Sequence, residues 1–306
     1  MTQVLEKMES GSITVLIDPE LGGTICHIGS TSDPESNVLA WYEWDEPKPL
    51  SLDFLPGESA KHWLSRYRGG WQFLTPNAGG ECVIDGVRHS FHGESSYMPW
   101  RVTMRTGRSL TMEIVVMDSL QVTRTLTLDE TKPILLVETE ITNIIQDPQE
   151  VVMVEHAAFQ GTPNIEVAAP TNSTWKFDAG YDEGNRKSIS WSESGLSGPD
   201  LRIPIVGRTE RMTYLVDGNE GWASIFDRTK KFGARITWNR KTLPYLWYWQ
   251  ERSSPGFPFY GRAEMTALEP ASCLPGDTLL GASRDGRSKT ILPGTSFSFS
   301  LELEII

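Results

Sequence analysis

The residues able to do chemistry fall in four short stretches. In "VEHAAF" (154–159), Glu155 and His156 follow the apolar run Val151-Val152-Met153-Val154. A polar group buried without a partner costs roughly 2–7 kcal/mol, so each needs a partner or a task. In "FHGESSYMPW" (91–100), His92 ends a hairpin arm beside Gly93. In "SRYRGGWQFLTPNAGG" (65–80), Arg66, Arg68, Trp71 and Asn77 share an irregular Gly- and Pro-rich loop. There an arginine fork either meets ligand oxygens or ties loop carbonyls together. In "YLWYWQE" (245–251), alternation puts Trp247 and Trp249 on one strand face and Tyr248 and Gln250 on the other, with Glu251 following. "YGRAEMTALEP" (260–270) then carries Glu264 and Glu269, and Pro270 is expected to end the strand with Glu269 at its tip. The motifs HExxH, GxSxG and GxxxxGK[ST] are absent. Arginine, two histidines, a carboxylate and aromatics remain. That set suits proton transfer on a ligand held by flat apolar faces, and a sugar fits.

The elements that must position these residues have a period of two. "FSFSLELEI" (297–305) alternates without a break and puts Phe297, Phe299, Leu301, Leu303 and Ile305 on one face. Further strands are expected at 12–17, 100–106, 110–117, 121–128, 134–142, 151–155, 222–227 and 233–238. A hairpin over 81–92 turns at Asp85-Gly86. Helical periodicity is nearly absent, with at most one short turn at "HWLSRY" (62–67). Segment 178–200 is polar and Gly/Ser-rich and reads as a long surface loop. Many strands at short spacing imply a large antiparallel sandwich, all-β, with residues 1–306 as a single domain.

Bulk properties narrow the partners. A formal net charge of −12 with no basic stripe argues against nucleic acid. No stretch approaches the ~20 apolar residues of a membrane span, and the first ten residues lack a signal-peptide run. Three widely spaced cysteines, Cys26, Cys82 and Cys273, have no metal-ligand spacing and fit a reduced, cytoplasmic protein. Eleven tryptophans serve either as core or as stacking faces.

In order and spacing, these stretches resemble the aldose 1-epimerases (mutarotases) of the galactose mutarotase-like superfamily. The likeness covers nearly the whole chain. It is carried by "GGTICHI" (22–28), "RYRGGWQFLTPNAG", the His92-Gly93 pair, the His-x-x-Phe of "EHAAF", and "LEP" followed by "LPGTSFSFSLEL". It implies a large antiparallel β-supersandwich and an isomerase needing no metal or cofactor. His156 matches the general acid on the ring oxygen, and Glu269 the general base on the anomeric hydroxyl. His92 matches a second histidine that binds sugar oxygens, and Arg68 the arginine of the pocket wall. Trp71 and Asn77 join the substrate-binding set through the loop they share with Arg68. Tyr248, Trp249 and Glu251 take the place of the aspartate that holds sugar hydroxyls in better-known members. Those members have Asn before the histidine, where this chain has Glu155. Arg66, Arg252 or Arg262 is placed to hold a phosphate or sulfonate, should the sugar carry one.

The reaction implied is ring opening at C1, rotation about C1–C2, and closure on the other face. His156 is expected to start protonated and Glu269 ionised, each favouring the other's charge. Alternation puts Glu155 and His156 on opposite sheet faces, so only one lines a pocket. Two alternatives stand beside this reading. One is a carbohydrate-binding or sugar-sensing protein without catalysis. The other is a glycoside hydrolase or lyase, for which Glu251 with Glu269 is the conceivable carboxylate pair. The partner is a small sugar, and the assembly a monomer or homodimer.

Overall fold

The closing segment, where the two-residue period is cleanest, lies at the middle of a sheet. The computed structural model describes residues 5–43, 55–178, 180, 188–196 and 199–306. In it Ser296–Ile305 buries Phe299, Leu301 and Leu303, while Ser298, Ser300, Glu302 and Glu304 face outward. This strand pairs with Ile134–Asn143 on one side and Phe232–Trp238 on the other. The full eight-stranded order is Ile165–Ala168, Trp222–Asp227, Phe232–Trp238, Ser296–Ile305, Ile134–Asn143, Leu120–Leu128, Ser109–Val116 and Arg101–Arg105.

A second sheet has ten strands. Their order is Glu6–Ser10, Ile13–Asp18, Thr24–Ser30, Gly70–Leu74, Val154–Gln160, Glu264–Ala271, Tyr245–Arg252, Thr209–Asp217, Thr174–Phe177 and Ile189–Ser190. Neighbours in both sheets are antiparallel. The sheets face each other across one apolar core, to which Ile25, Trp71, Trp175 and Tyr248 come from the ten-stranded sheet and Val122, Val137, Ile236 and Leu303 from the eight-stranded one. The fold is the antiparallel β-supersandwich that the alternating pattern implies.

The ten-stranded sheet is covered on its other face as well. There Trp63 and Tyr67, from the helix Ser59–Arg66 and its C-cap, pack with Trp249, Phe259, Met265 and Ala267. Beside them Leu74, Val152, Trp247 and Ala271 pack under Leu279 and Ala282 of the helix Leu279–Arg284. Strands with both faces covered lose the alternating pattern. This is why "YLWYWQE" and "EMTALEPA" show no polar–apolar alternation, and both are buried almost throughout.

Several local expectations change. The strand placed at 151–155 is two strands, Gln149–Val151 paired with Lys289–Ile291, and Val154–Gln160. "HWLSRY" belongs to a full helix, Ser59–Arg66, whose brevity hides its period. The Asp85-Gly86 hairpin is present, with both residues at positive φ (49° and 81°). In 178–200, residues 179, 181–187 and 197–198 lie outside the described set. The described remainder includes the strand Ile189–Ser190 and a 3₁₀ turn that buries Trp191. Pro270 does not end its strand, because Leu246 and Tyr245 still pair with Pro270 and Ala271.

Candidate active site

Pro270 shapes the centre of the ten-stranded sheet. The Ser272 N–H donates to the Met153 carbonyl at 2.9 Å. In an antiparallel ladder the next such exchange falls two residues on, between Glu155 and residue 270. Proline has no N–H to give. The ladder between these strands therefore lapses after Val154↔Ala271 and resumes at Ala157↔Leu268. Counting through the gap sets His156 directly opposite Glu269. Their side chains emerge on the outer face, with His156 Nε2 3.8 Å from Glu269 Oε2. Both are buried, and neither His156 Nδ1 nor Glu269 Oε2 has a hydrogen-bond partner.

Above this pair lies a cavity of about 390 Å³. Its walls are aromatic, formed by Trp63, Tyr67, Phe91, Trp247, Trp249, Phe257 and Phe259. Tyr67 and Trp63 stand edge-on to the His156 ring, with centroids 5.4 and 5.8 Å away. Trp63 and Tyr67 stack at 4.6 Å, as an i, i+4 pair on one helix side can. His92 also lines the cavity, 5.7 Å from His156. Its Nδ1 accepts the Gly79 N–H at 3.1 Å, which leaves the neutral ring's proton on Nε2. His92 sits at φ 62°, and at Gly93 beside it a Cβ would come within 2.3 Å of the Thr75 carbonyl oxygen, so only glycine fits this turn.

Burial dominates the electrostatics. It lowers the His156 pKa to about 4 and holds Glu269 well above the usual carboxylate range. It also pushes His92 well below the ordinary imidazole value, with the neighbouring His156 adding to the effect. The Tyr67 hydroxyl is pushed well up, first by burial and then by Glu269 and Tyr42. Burial thus works against the expected imidazolium–carboxylate pair, shifting both groups towards their uncharged forms. At 3.8 Å without a hydrogen bond, attraction does not offset the loss of water around two charges.

A family model described as a domain of unknown function, DUF4432, matches residues 33–305. The chain belongs to this family. No curated protein matches it. Solved structures share the fold at low identity. The Slr1438 protein of Synechocystis sp. PCC 6803 is 14% identical with a TM-score of 0.71, over 100% of this chain and 96% of the other. A galactose mutarotase related enzyme from Lactobacillus acidophilus is 14% identical, TM-score 0.67, over 99% and 97%. A galactose mutarotase-like protein from Clostridium acetobutylicum is 16% identical, TM-score 0.63, over 98% and 94%. The fold of this DUF4432 member is therefore galactose mutarotase-like.

The structure brings His156, Glu269, His92 and Trp249 together around the cavity. Trp247, on the same strand face as Trp249, lines it too, whereas Trp71, Tyr248, Asn77, Glu251 and Arg68 do not. Trp71 points into the inter-sheet core and donates from Nε1 to Glu155 at 2.7 Å. Tyr248 also faces that core, where its hydroxyl donates to the Leu201 carbonyl at 2.9 Å. Strand alternation decides both. Asn77 is a buried loop brace, donating to the Gly80 and Ser90 carbonyls and accepting from Leu279 N–H. Glu251 accepts from the Ser254 N–H and hydroxyl and so holds a turn. Arg68 lies by Trp41, its guanidinium carbon 6.0 Å from the ring centroid. As to a phosphate site, Arg66 is buried near Asp18, Arg252 reaches Glu264 at 3.4 Å, and Arg262 donates to the Phe259 carbonyl. None of the three lines the cavity.

Sequence reasoning missed Trp63, Tyr67, Phe259, Asp178 and Glu210 as lining residues. The i, i+4 aromatics of "HWLSRY" were the available signal for the first two. Glu210 accepts from Trp249 Nε1 at 3.2 Å, a pairing across strands that no local pattern announces.

Proposed function

We propose that this protein is an aldose 1-epimerase acting on an uncharged aldose. The observation that carries the reading is the buried His156–Glu269 pair, in register across an opened ladder at the floor of an aromatic cavity. Anomer exchange needs one acid at the ring oxygen and one base at the C1 hydroxyl. Glu269 takes the hydroxyl proton while His156 delivers one to O5. The C1–O5 bond opens to the aldehyde, C1–C2 turns, and closure runs the same transfers backward on the other face. Each positioned group contributes ~10²–10⁴-fold. The direction of both shifts favours a second version of the same step, in which a Glu269 carboxyl protonates O5 and a neutral His156 ring takes the C1 hydroxyl proton. Both versions leave the enzyme with the one proton it began with, which suits a reversible reaction. The Tyr67 hydroxyl and His92 Nε2–H supply donors for sugar oxygens, and the Trp and Phe faces take the C–H surfaces.

The substrate class follows from the cavity's charges. Among the described residues its ionisable lining is Asp178, Glu210 and Glu269 with the two histidines and the Tyr67 phenol, and no lysine or arginine. A phosphate or carboxylate on the sugar would meet carboxyl groups there without a cation. Glu251 and Glu264 stand outside this cavity, so the carboxylate pair considered for a hydrolase does not form.

The test is anomer exchange by NMR on glucose, galactose, other aldoses and their 6-phosphates, with the native protein, His156→Ala and Glu269→Gln. Acceleration of neutral aldoses that both variants lose supports the reading. Binding shifts without acceleration on any sugar overturn it in favour of a sugar-binding protein, and acceleration confined to 6-phosphates overturns the substrate class.

A further inference from the structure

The strand that carries His156 is held in an unusual way at that point. On one side it pairs continuously with Gly70–Leu74, from Val154↔Leu74 to Ala158↔Gly70. On the other side the ladder to the Glu269 strand is open across residues 155–156 and 269–270, because Pro270 has no donor to give. A third attachment runs through the sheet instead. The Glu155 side chain points into the inter-sheet core. There it accepts from Arg124 Nη1 at 2.9 and 3.1 Å, from Arg124 Nη2 at 3.0 Å, and from Trp71 Nε1 at 2.7 Å. Arg124 comes from the opposite sheet, on the inward face of Leu120–Leu128, where Val122 and Leu126 flank it. It also contacts Thr139 Oγ1 at 3.4 Å and lies 5.1 Å from the Phe73 ring centroid. Both charges are out of water, Glu155 at 0% and Arg124 at 2% exposure. Apolar residues of similar volume often serve stability as well as, or better than, such a buried pair. Its presence directly behind the histidine calls for another role.

That role is visible on the other face. His156 Nε2 and Glu269 Oε2 stand 3.8 Å apart, too far for a hydrogen bond, and Glu269 Oε2 has no partner. Each group is therefore turned towards the cavity rather than tied to the other, and the strand that carries His156 is anchored from behind by the Glu155 network.

We propose that Glu155, Arg124 and Trp71 form a positioning clamp that keeps the His156 ring clear of Glu269, so that both groups remain open to a ligand between and above them. The clamp acts through the backbone of a strand whose ladder Pro270 has opened. Glu155 and Arg124 are positioning residues and touch no substrate. The kinetic consequence rests on the epimerase reading, while the structural consequence does not.

The experiment uses the full chain with ¹⁵N-labelled histidine. Three proteins are compared: native, Glu155→Gln, and the apolar pair Arg124→Met/Glu155→Leu. The His156 ring resonances are identified by their loss in His156→Gln. The clamp predicts that the double variant stays folded, and that in it the His156 ring nitrogen shifts move to those of a ring hydrogen-bonded to a carboxyl. Replacing Glu269 by Leu in the same background should cancel that move. The clamp further predicts that kcat for anomer exchange falls ten- to a hundredfold while KM changes less than threefold. Glu155→Gln, which keeps the shape and part of the hydrogen bonding, should fall between the two. Unchanged ring shifts in a folded double variant overturn the proposal whether or not any sugar is turned over. Loss of folding in both variants also overturns it, since the network would then be a stability element. Moved ring shifts without any exchange activity in the native protein would uphold the clamp and reject the epimerase reading.

Discussion

In the eight-stranded sheet the strand Leu120–Leu128 buries every second residue, whereas in the ten-stranded sheet Val154–Gln160 buries all but its last. Both strands contribute to the same core. What differs is the second face. On Leu120–Leu128 that face is half-exposed and carries Gln121, Thr123, Thr125 and Thr127. The ten-stranded sheet covers it with the helix Ser59–Arg66 and the loops around 75–98, 253–263 and 272–288, and the cover leaves one aromatic hollow. A titratable group on a wet face keeps its solution chemistry. The same group under a cover loses its water, and its pKa moves. The lesson is that one sheet builds the fold and the other, by being roofed, builds the chemistry.

The comparison breaks first at the roofed face. His156→Ala and Glu269→Gln should each slow anomer exchange by about 10²–10⁴-fold, measured by NMR line exchange. For Glu269→Gln the thermal midpoint at pH 8 should rise. A carboxyl whose folded pKa is raised favours folding at acid pH and loses that contribution as pH climbs from its unfolded value towards the folded one. A fall in stability at pH 8 would contradict a Glu269 pKa raised by burial.

Leu303→Ala, in the shared core, tests the opposite assignment. Leu303 is fully buried, and truncation should cost about 2–5 kcal/mol by denaturant unfolding. Activity per folded molecule should stay near native. A large loss of kcat there would mean that the two faces of the ten-stranded sheet are not separable.

A smaller effect is the pH profile. Activity needs one proton on the pair. It should fall as pH drops through about 4, when His156 takes a second proton, and fall again at high pH, when Glu269 gives up its own. A plateau between these limits is expected in kcat/KM. An acid limb near the ordinary imidazole value would show that the ring is not desolvated.

The smallest effect belongs to the wet face. Glu138→Ala lies on the exposed side of Ile134–Asn143 and should change stability by less than about 0.5 kcal/mol, with no change in exchange rate. A larger change would show that this face also has a cover.

These contrasts also mark what was legible. The eight-stranded sheet was read almost strand for strand, because one wet face imposes a period of two on the residues. The covered strands were harder, because burial on both faces erases the period. Tyr248 was assigned to the ligand wall and lies in the core, since nothing local tells which face of a strand buried on both sides meets the cavity. Arg124 offers an overlooked signal. In "LQVTRTLTL" it occupies an inward position, and a charge on an inward face announces a buried partner. Which partner, Glu155 some thirty residues on, only the register of two sheets reveals.

By itself the sequence determined the strands, the sandwich they must form, and the residue types fit for acid–base work on a sugar, because these depend on local period and side-chain chemistry. Only the tertiary structure decided that Pro270 opens the ladder, that His156 meets Glu269 there, and that burial lowers the pKa of the one and raises that of the other. Those depend on distance and on water excluded by residues far away in the chain, which no local pattern records.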